Sequence, residues 1–510
     1  MKLSFPYTNS RTAGLGPVRT PPLLVLTLAL AVSAVACSYV QLDPDAEVAP
    51  SRKAEQVWMP PASAAKSIDP LAQLRQLQSF DEISTLTPGT AQTYDLPSLV
   101  DLALRISPQT RHDWYAALEA QGQLGRSQAP NYPAVQAEAE GGYAKLPIEF
   151  PGQTLVIRNS FFLPQFKVTY DLLDFGRTRA SERNAREQLI AANYTFNQTI
   201  QDVVFQVEKS YYTLAAANAS VSAAEANLKL ARTSLESVEQ RHQVGLATKP
   251  EVLLAKQVEA QAVYDLENAK SMVHDAEAGL RQAVGVAADT NIKVGSGQLD
   301  RLPMSLGDDV EALMTDALKQ RPDLAAQLAA VRAGDAAIDR AKADYYPQVE
   351  VGGNYGQAIW NYTVNGGSTQ NLNQPFYGAL MTLRWDLFTG FDRYYGVRES
   401  IAARNAARSE LRSRQISAVA AVWKAYYDYV SAKKKRDASQ ALLDASEESY
   451  ASNFESHRYG LATITDLITA ERDVMSARYT LIQSKADLLI SSCALVYATG
   501  AASQSSARTQ

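Results

Sequence analysis

The sequence predicts a mainly helical chain with amphipathic membrane strands, built as an internal duplication. Three observations predict this class: a motif that recurs 215 residues further on, two very long stretches without glycine or proline, and short stretches that alternate apolar and polar residues. Self-similarity at a fixed step is the signature of a repeated structural unit. We therefore expect two similar halves, each with long helices and a pair of strands.

The duplication is clearest in one seven-residue run. His-Gln-Val-Gly-Leu-Ala-Thr at His242–Thr248 recurs as His-Arg-Tyr-Gly-Leu-Ala-Thr at His457–Thr463. Upstream the step is 214 residues, since Tyr132 and Pro133 correspond to Tyr346 and Pro347. The predicted repeats are residues 96–290 and 308–500, with the extra residue in a loop between Pro347 and Asp386.

Residues 1–36 are predicted to be a lipoprotein signal peptide. Cations at Lys2, Arg11 and Arg19 precede an uncharged run, Leu23–Ala36, that is too short to cross a bilayer, which needs about 20 residues. Cys37 follows small residues, as in the bacterial lipobox, so we expect Cys37 to be acylated. The alternative is an ordinary signal peptide with Cys37 as a bystander.

Both ends of the chain differ from its middle. Residues 37–95 are rich in Pro, Ala, Ser and Gln and predict a lipidated extended arm, with one short helix near residues 71–80; residues 501–510 predict a disordered tail. The formal charge of −5 is mixed in sign along the chain and gives no indication of nucleic-acid binding. The second cysteine, Cys493, lies in an apolar helical pattern and is predicted to be a core residue.

Each half is predicted to begin with two helices. The first covers Leu96–Ile106 or Val310–Gln320 and stops before a proline, as helices tend to. The second runs to about Ala129 or Asp344 and ends at Tyr-Pro.

Alternating stretches follow in each half. They cover residues 135–140 and 166–172 in the first, and begin at residue 349 and cover 377–387 in the second. Period-two patterning predicts strands with one apolar and one polar face. Phe166, Val168 and Tyr170 suit lipid, whereas Lys167 and its alternating neighbours suit water.

Very long helices come next. Arg177–Val244 has 68 residues, and Val397–Tyr459 has 63, without Gly or Pro. At about 1.5 Å per residue each would reach roughly 100 Å, which predicts a coiled coil or a helical tube. Breaks at Gly245 and Gly460 predict antiparallel hairpins with related tips, whose second helices run from Glu251 onward and from about residue 464 to 499.

Four strands cannot close a barrel, and a membrane-spanning sheet must close because lipid offers no partner for an open edge. Two copies of the chain would supply eight strands and three copies twelve. Eight-stranded barrels are filled by their own side chains, so an open conduit favours a trimeric twelve-stranded barrel. A soluble sheet packed on a helical core is the alternative.

Duplicated halves, Tyr-Pro before a strand, Asp-Leu-Leu-Asp-Phe-Gly-Arg at residues 171–177, and Gly-Leu-Ala-Thr at the turns resemble the TolC-like outer-membrane factor family over about residues 95–500. With a lipid-bearing cysteine, the chain looks most like the lipoprotein branch that serves efflux pumps. The resemblance implies a homotrimer with a barrel in the outer membrane and a helical tube in the periplasm. It also implies a periplasmic adaptor and an inner-membrane pump as partners, with no cofactor and no catalysis.

This sequence departs from the usual family pattern at two places. Tyr459 stands where Val is common, and Thr389–Asp392 stands where Asp-Gly-Gly-Arg is common. These departures bear on which adaptor is used more than on the fold.

The two turns are the predicted adaptor-binding tips. Gly can end a helix in a left-handed conformation and Thr can cap the returning helix, which explains both residue types without any partner. The repeated Leu is not explained this way, and in the family this turn meets the helical hairpin of the adaptor. The predicted tip residues are Val244, Gly245, Leu246, Thr248, Tyr459, Gly460, Leu461 and Thr463.

A pore aperture is predicted beside the tips. Glu251 and Asp466 occupy matching positions and would form acidic rings in a threefold tube. Compensation of the helix dipole is the alternative. Glu471 and Arg472, further along, are predicted gate contacts, whereas His242 and His457 are expected on a solvated surface.

The leading functional interpretation is the passive outer-membrane exit duct of a tripartite efflux system. It would conduct drugs, metals or other toxic compounds from pump and adaptor to the outside. The alternatives are the outer-membrane channel of a type I protein secretion system and a periplasmic helical scaffold or adaptor. An enzyme is disfavoured because the sequence has no convincing catalytic constellation.

Overall fold

A computed structural model describes residues 55–56, 58, 93–286, 292–295, 299 and 309–501, all within one compact unit of residues 45–510. The predicted signal peptide, Cys37, the helix near residues 71–80 and residues 502–510 lie outside the described residues.

The first repeat contains β1 (Thr93–Tyr94), α1 (Leu96–Ile106), α2 (Pro108–Gln128), β2 (Ala134–Phe150), β3 (Gln153–Leu173), α3 (Arg177–Gln243) and α4 (Lys249–Val284). The second contains β4 (Lys293–Val294), α5 (Val310–Gln320), α6 (Pro322–Ala343), β5 (Gln348–Val364), β6 (Gln370–Arg384), α7 (Asp392–Arg458) and α8 (Ile464–Ala498).

The short helices are confirmed to the residue. Asp95 caps α1 by accepting from the Ser98 amide, and Asp309 caps α5 by accepting from two amides of its first turn. Helix α1 ends at Ile106 and α5 ends at Gln320. The next residue in each case, Ser107 or Arg321, precedes a proline and therefore disfavours helical geometry.

Two predicted boundaries are wrong. Helix α7 begins at Asp392 rather than Val397, because Gly396 lies inside the helix, where a glycine costs only about 1 kcal/mol relative to alanine. Strand β6 ends at Arg384, so Trp385 and Leu387 lie beyond it. The Trp385 indole instead donates to the carbonyl of Tyr345 at 3.2 Å.

The four long strands form one antiparallel sheet in the order β2-β3-β5-β6. Residues paired across neighbouring antiparallel strands share a face, so the register defines both faces. Phe166 pairs with Tyr355, which pairs with Tyr377. The next row, Lys167 with Asn354, lies on the opposite face. We call these the Val168 face and the Lys167 face, and the two-faced prediction is confirmed.

The sheet is unfinished within one chain. Each edge strand, β2 or β6, pairs on one side only among the described residues. Large apolar side chains of the Val168 face are exposed, and Tyr377 is 83 % exposed. A soluble sheet packed on the helices is therefore not what the chain forms.

The strands join the long helices through left-handed turns. Phe175 and Gly176 have φ of 51° and 90° before α3, and Gly390 and Phe391 have φ of 64° and 68° before α7. The second repeat thus builds the same turn with Gly and Phe exchanged in order. The Asp174 carboxylate accepts from the amides of Gly176 and Thr178, and these hydrogen bonds lower the pKa of Asp174 despite its partial burial.

The helices form two antiparallel hairpins, α3 with α4 and α7 with α8. Helix α3 also packs on α6 and α8, and α6 packs on α7. One apolar core, which includes Phe196 and Tyr211, lies between α1 to α4, and another, which includes Val258 and Leu467, lies near the tips. Helix α8 is apolar and long enough to cross a membrane by composition, a test that the core helix of a bundle also passes.

A short piece of the predicted arm is fixed to this body. The backbone amide of Trp58 donates to the Asn197 side chain at 2.7 Å, and that side chain donates back to the Trp58 carbonyl at 2.6 Å. The Trp58 ring meets Tyr194 edge-on. The arm therefore contacts α3 at this point.

Candidate functional site: the two hairpin tips

The two tips have the same backbone geometry. Gly245 and Gly460 have φ of 77° and 75°, a left-handed conformation that L side chains rarely adopt. In each turn the glycine amide donates three residues back, to His242 or His457, and the following Leu amide donates five residues back. These hydrogen bonds satisfy carbonyls that the end of a helix leaves free.

Each returning helix begins with a capping box. Thr248 with Glu251 caps α4, and Thr463 with Asp466 caps α8. In both boxes the hydroxyl accepts from the third helical amide while the carboxylate accepts from the threonine amide. Two free donors are thereby satisfied at once.

Each repeated histidine closes its turn with a hydrogen bond to a backbone carbonyl. Nδ1 of His242 lies 2.7 Å from the carbonyl oxygen of Ala247, and Nδ1 of His457 lies 3.1 Å from that of Ala462. Because a carbonyl only accepts, Nδ1 carries the proton in both rings. The expectation of a solvated surface is wrong for His457, which is buried.

The predicted adaptor-binding side chains point away from the protein. Leu246 and Leu461 are 69 % and 83 % exposed, and Val244 and Tyr459 are 69 % and 74 % exposed. The polar groups of the turn are thus used internally, and the apolar side chains are offered outward. Each tip presents a hydrogen-bonded backbone turn that carries two exposed apolar side chains.

A side-chain hydrogen bond joins the two turns of a chain, beside the apolar core near the tips. The guanidinium of Arg241, at the end of α3, donates through Nη1 to the carbonyl of His457, at the end of α7. This carbonyl already accepts from the Gly460 amide. The repeat counterpart of Arg241 is Ser456, whose side chain is too short for the reciprocal contact.

The predicted aperture residues occupy two different environments. Glu251 and Asp466 are the capping carboxylates described above, and hydrogen bonds from Thr463 lower the pKa of Asp466. Both carboxylates therefore lie at helix N-termini, as the alternative interpretation of these residues, compensation of the helix dipole, requires. Glu251 accepts from the Thr248 amide in the same way.

Glu471 lies inside the helix packing rather than on a surface, whereas Arg472 beside it is exposed. The Glu471 carboxyl accepts from the Ser234 hydroxyl of α3 at 2.9 Å, and its other oxygen has no hydrogen-bond partner. Burial raises the pKa of Glu471. In this arrangement Glu471 has no open surface on which to make the predicted pore contact.

A polar cluster surrounds Glu471 and ties three helices together. Arg478 of α8 donates to Asn227 of α3 and pairs with Glu447 of α7, each at 3.0 Å. The Tyr450 hydroxyl of α7 reaches Ser234, and its pKa is raised by burial. Sequence reasoning missed this cluster because the helix periodicity does not say which helices become neighbours.

Among the described residues, no group of three or more His, Cys, Asp or Glu side chains is placed to hold a metal ion. Cys493 is half-buried and contacts Glu208, and desolvation raises the pKa of both groups. These features suit helix packing.

The chain matches known proteins over most of its length. The family model described as outer membrane efflux protein matches residues 99–286 and 313–501. Protein CyaE of Bordetella pertussis is 28 % identical over 83 % of this chain and 88 % of its own. The antibiotic efflux pump outer membrane protein ArpC of Pseudomonas putida is 24 % identical over 93 % and 95 %. The solved outer-membrane channel OprN has a TM-score of 0.69 at 18 % identity and covers 82 % of this chain.

The four-stranded amphipathic sheet on two long helical hairpins is the fold of solved outer-membrane channels such as OprN. The family model covers well over half of the chain, in two segments that follow its two repeats. The chain belongs to the outer membrane efflux protein family. The predicted family, outer-membrane location and efflux function are confirmed.

Proposed function

We propose that three copies of this chain form the exit duct of a tripartite efflux system. In this arrangement the sheets join edge to edge into a twelve-stranded barrel, with the Val168 face toward lipid and the Lys167 face toward the lumen. The helical hairpins continue the duct into the periplasm. Small toxic molecules pass through it without chemistry, and an adaptor and an inner-membrane pump supply them.

One observation carries the trimer: a single chain leaves both sheet edges unpaired while exposing an apolar face. Unpaired edges are not tolerated in lipid, so other copies must complete the ladder. Three copies give a barrel wide enough for a conduit, whereas two give one that side chains fill.

The test is the native mass of the detergent-extracted protein, expressed with its N-terminal segment in a Gram-negative host. The expected particle contains three protomers, depends on detergent, and fractionates with the outer membrane. A mass increase on Cys37 that matches two or three acyl chains tests the proposed lipid anchor separately. A detergent-independent monomer would overturn the barrel.

The tips are proposed to dock the helical hairpin of a periplasmic adaptor. This proposal is supported by the two exposed apolar side chains that each hydrogen-bonded turn carries. They are Val244 and Leu246 in the first tip, and Tyr459 and Leu461 in the second. Polar groups of the turn are already satisfied, so binding would bury apolar surface without leaving polar groups unpaired.

Replacing both leucines, Leu246→Ser with Leu461→Ser, should abolish efflux while leaving trimer mass and outer-membrane level unchanged. The readout is drug tolerance of a host that lacks its own channel, together with cross-linking to the adaptor. Leu253→Ser is the matched control, because Leu253 is exposed on α4 beyond the turn. Wild-type tolerance in the double variant would contradict tip docking.

A further inference from the structure

The two faces of the sheet exchange polarity partway along the strands. On β2 the Lys167 face carries Gln136, Glu138 and Glu140 near the helices, but Leu146, Ile148 and Phe150 toward the hairpin turn. The β2–β3 register runs without a shift from Ala134 to Phe150, so these residues share one face. The exchange is therefore a property of the sequence and not of a slipped strand.

The other strands exchange polarity at the same level. One cross-strand row on the Lys167 face contains Gly142, Phe161, Trp360 and Leu372. The next row, on the Val168 face, contains Tyr143, Ser160, Asn361 and Asn371. Further out, the Lys167 face carries Leu146, Ile157 and Val364, while the Val168 face carries Lys145, Arg158 and Thr363.

The strands are long enough for this exchange to mark the membrane boundary. A spanning strand needs about 9–11 residues, and β3 has 21. The apolar part of the Val168 face on β3, from Phe162 to Tyr170, has this length. The rest of β3, with Arg158 and Ser160 on the same face, therefore extends beyond lipid.

The distal sheet narrows as it extends. Strand β6 pairs only as far as Gln370 with Tyr362, and β5 pairs with β3 only as far as Val364. The backbone amide of Asn365 donates to the carbonyl oxygen of Val156 at 2.9 Å, and the pairing of β5 with β3 ends there. Beyond it only the β2–β3 hairpin continues, with Ile148, Leu155 and Phe150 on the Lys167 face.

A two-stranded hairpin is at best marginally stable in water and needs packing on its apolar face. Nothing in the described part of the chain covers this face, since Leu146 and Phe150 are each 51 % exposed. Lipid is excluded, because the face belongs to the side that carries Lys167 and Asp171 nearer the helices. Only the same segment of the other copies lies across the axis of the barrel.

We infer that the distal hairpins of the three copies lean together and pack their apolar Lys167 faces against one another as an external constriction of the duct. The inference rests on the trimeric barrel proposed above. The Phe161 ring lies over Gly142 and against Trp360, with ring centroids 5.6 Å apart, and forms the wide base of this apolar collar. A row that contains Ala144, Asn159 and Tyr362 follows this base on the same face, and Leu146, Ile157 and Val364 form the narrow part beyond it.

Cross-linking between copies tests the constriction in the full-length protein. In a Cys493→Ser background, Leu146→Cys and Val364→Cys should give cross-linked dimers with a short bismaleimide. Lys145→Cys and Thr363→Cys, their immediate neighbours on the opposite face, are matched controls and should remain monomeric on denaturing gels. Native mass of each variant reports assembly independently.

A trimer whose Leu146→Cys and Val364→Cys variants cross-link no better than the two controls would overturn the constriction and leave the proposed duct intact. A protein that is not trimeric would overturn both. Leu146 and Val364 lie on different hairpins, so the cross-linking test can still be made with one variant if the other fails to assemble.

Discussion

At the scale of single residues, the most informative group is Glu471. It is fully buried, accepts one hydrogen bond from Ser234 and has one oxygen without a partner. An ionised carboxylate in this position would be costly, and burial raises its pKa accordingly. The packing of α3, α7 and α8 near the tips therefore favours a protonated Glu471.

The stability of this helix packing should depend on pH through Glu471. The folded state holds the proton more tightly than the unfolded state, so the free energy of unfolding is highest below the ordinary pKa near 4.5. It then falls as pH rises through the interval up to the raised pKa of the folded state. We expect Glu471→Gln to remove this fall, an effect of roughly 1 kcal/mol at neutral pH.

The measurement is the thermal unfolding midpoint of wild type and variant between pH 4 and pH 8. Glu448→Gln, the same substitution at an exposed residue of α7, is the control and should keep the wild-type slope. Parallel curves for wild type and Glu471→Gln would show that Glu471 is not the titrating group. The Arg472 cation lowers the pKa of Glu471, and Glu471 in turn raises the pKa of Tyr450, so both groups interact with the titrating carboxyl.

At the scale of elements, the tips are fixed turns rather than loose loops. Gly460 has a φ of 75°, and a Cβ there would meet no neighbour within 4 Å, so only backbone strain opposes a side chain. Gly460→Ala should destabilise the tip by roughly 1–2 kcal/mol, whereas Gly460→Asn should cost less because Asn tolerates this conformation.

Hydrogen exchange of the Leu461 amide, which donates to Ser456 at 2.8 Å, measures this effect locally. Exchange should accelerate in Gly460→Ala and change less in Gly460→Asn, with the Leu246 amide of the other tip as internal reference. Equal acceleration in both variants would mean that strain at this residue does not hold the turn.

The element boundaries show how far sequence reasoning reaches. The starts and ends of α1 and α5 were predictable because capping Asp and following Pro act within a few residues. The full strands were not, because the polarity exchange reverses the face on which apolar residues lie and breaks the alternation across the boundary. The start of α7 was misplaced because a single Gly396 weakens a helix without ending it.

The candidate site divides in the same way. The tips were predictable because their turn and caps are local and occur twice. The burial of Glu471 was not, because its hydrogen-bond partner Ser234 lies 237 residues away in the chain. The contact between Arg241 and His457 depends on the same long-range pairing of hairpins.

At the scale of the whole molecule, orientation in the membrane follows from which face of the sheet is apolar. Val168 and Thr169 are adjacent residues on opposite faces. Val168→Arg would place a charge in lipid and should destabilise the inserted barrel by about 2–4 kcal/mol if near the bilayer midplane. Thr169→Arg would place the same charge toward the lumen and should be tolerated.

The amount of each variant in the outer membrane, and its resistance to unfolding in detergent, measure this difference. Loss of both variants to the same degree would mean that the sheet does not separate lipid from water. Loss of Thr169→Arg alone would reverse the proposed orientation of the two faces.

The arginine that bridges the two tips has a mechanical consequence. Arg241 bridges the two turns of one chain, and the side chain of its counterpart Ser456 is too short to make the reciprocal bond. The two tips of one chain should therefore move as a coupled pair.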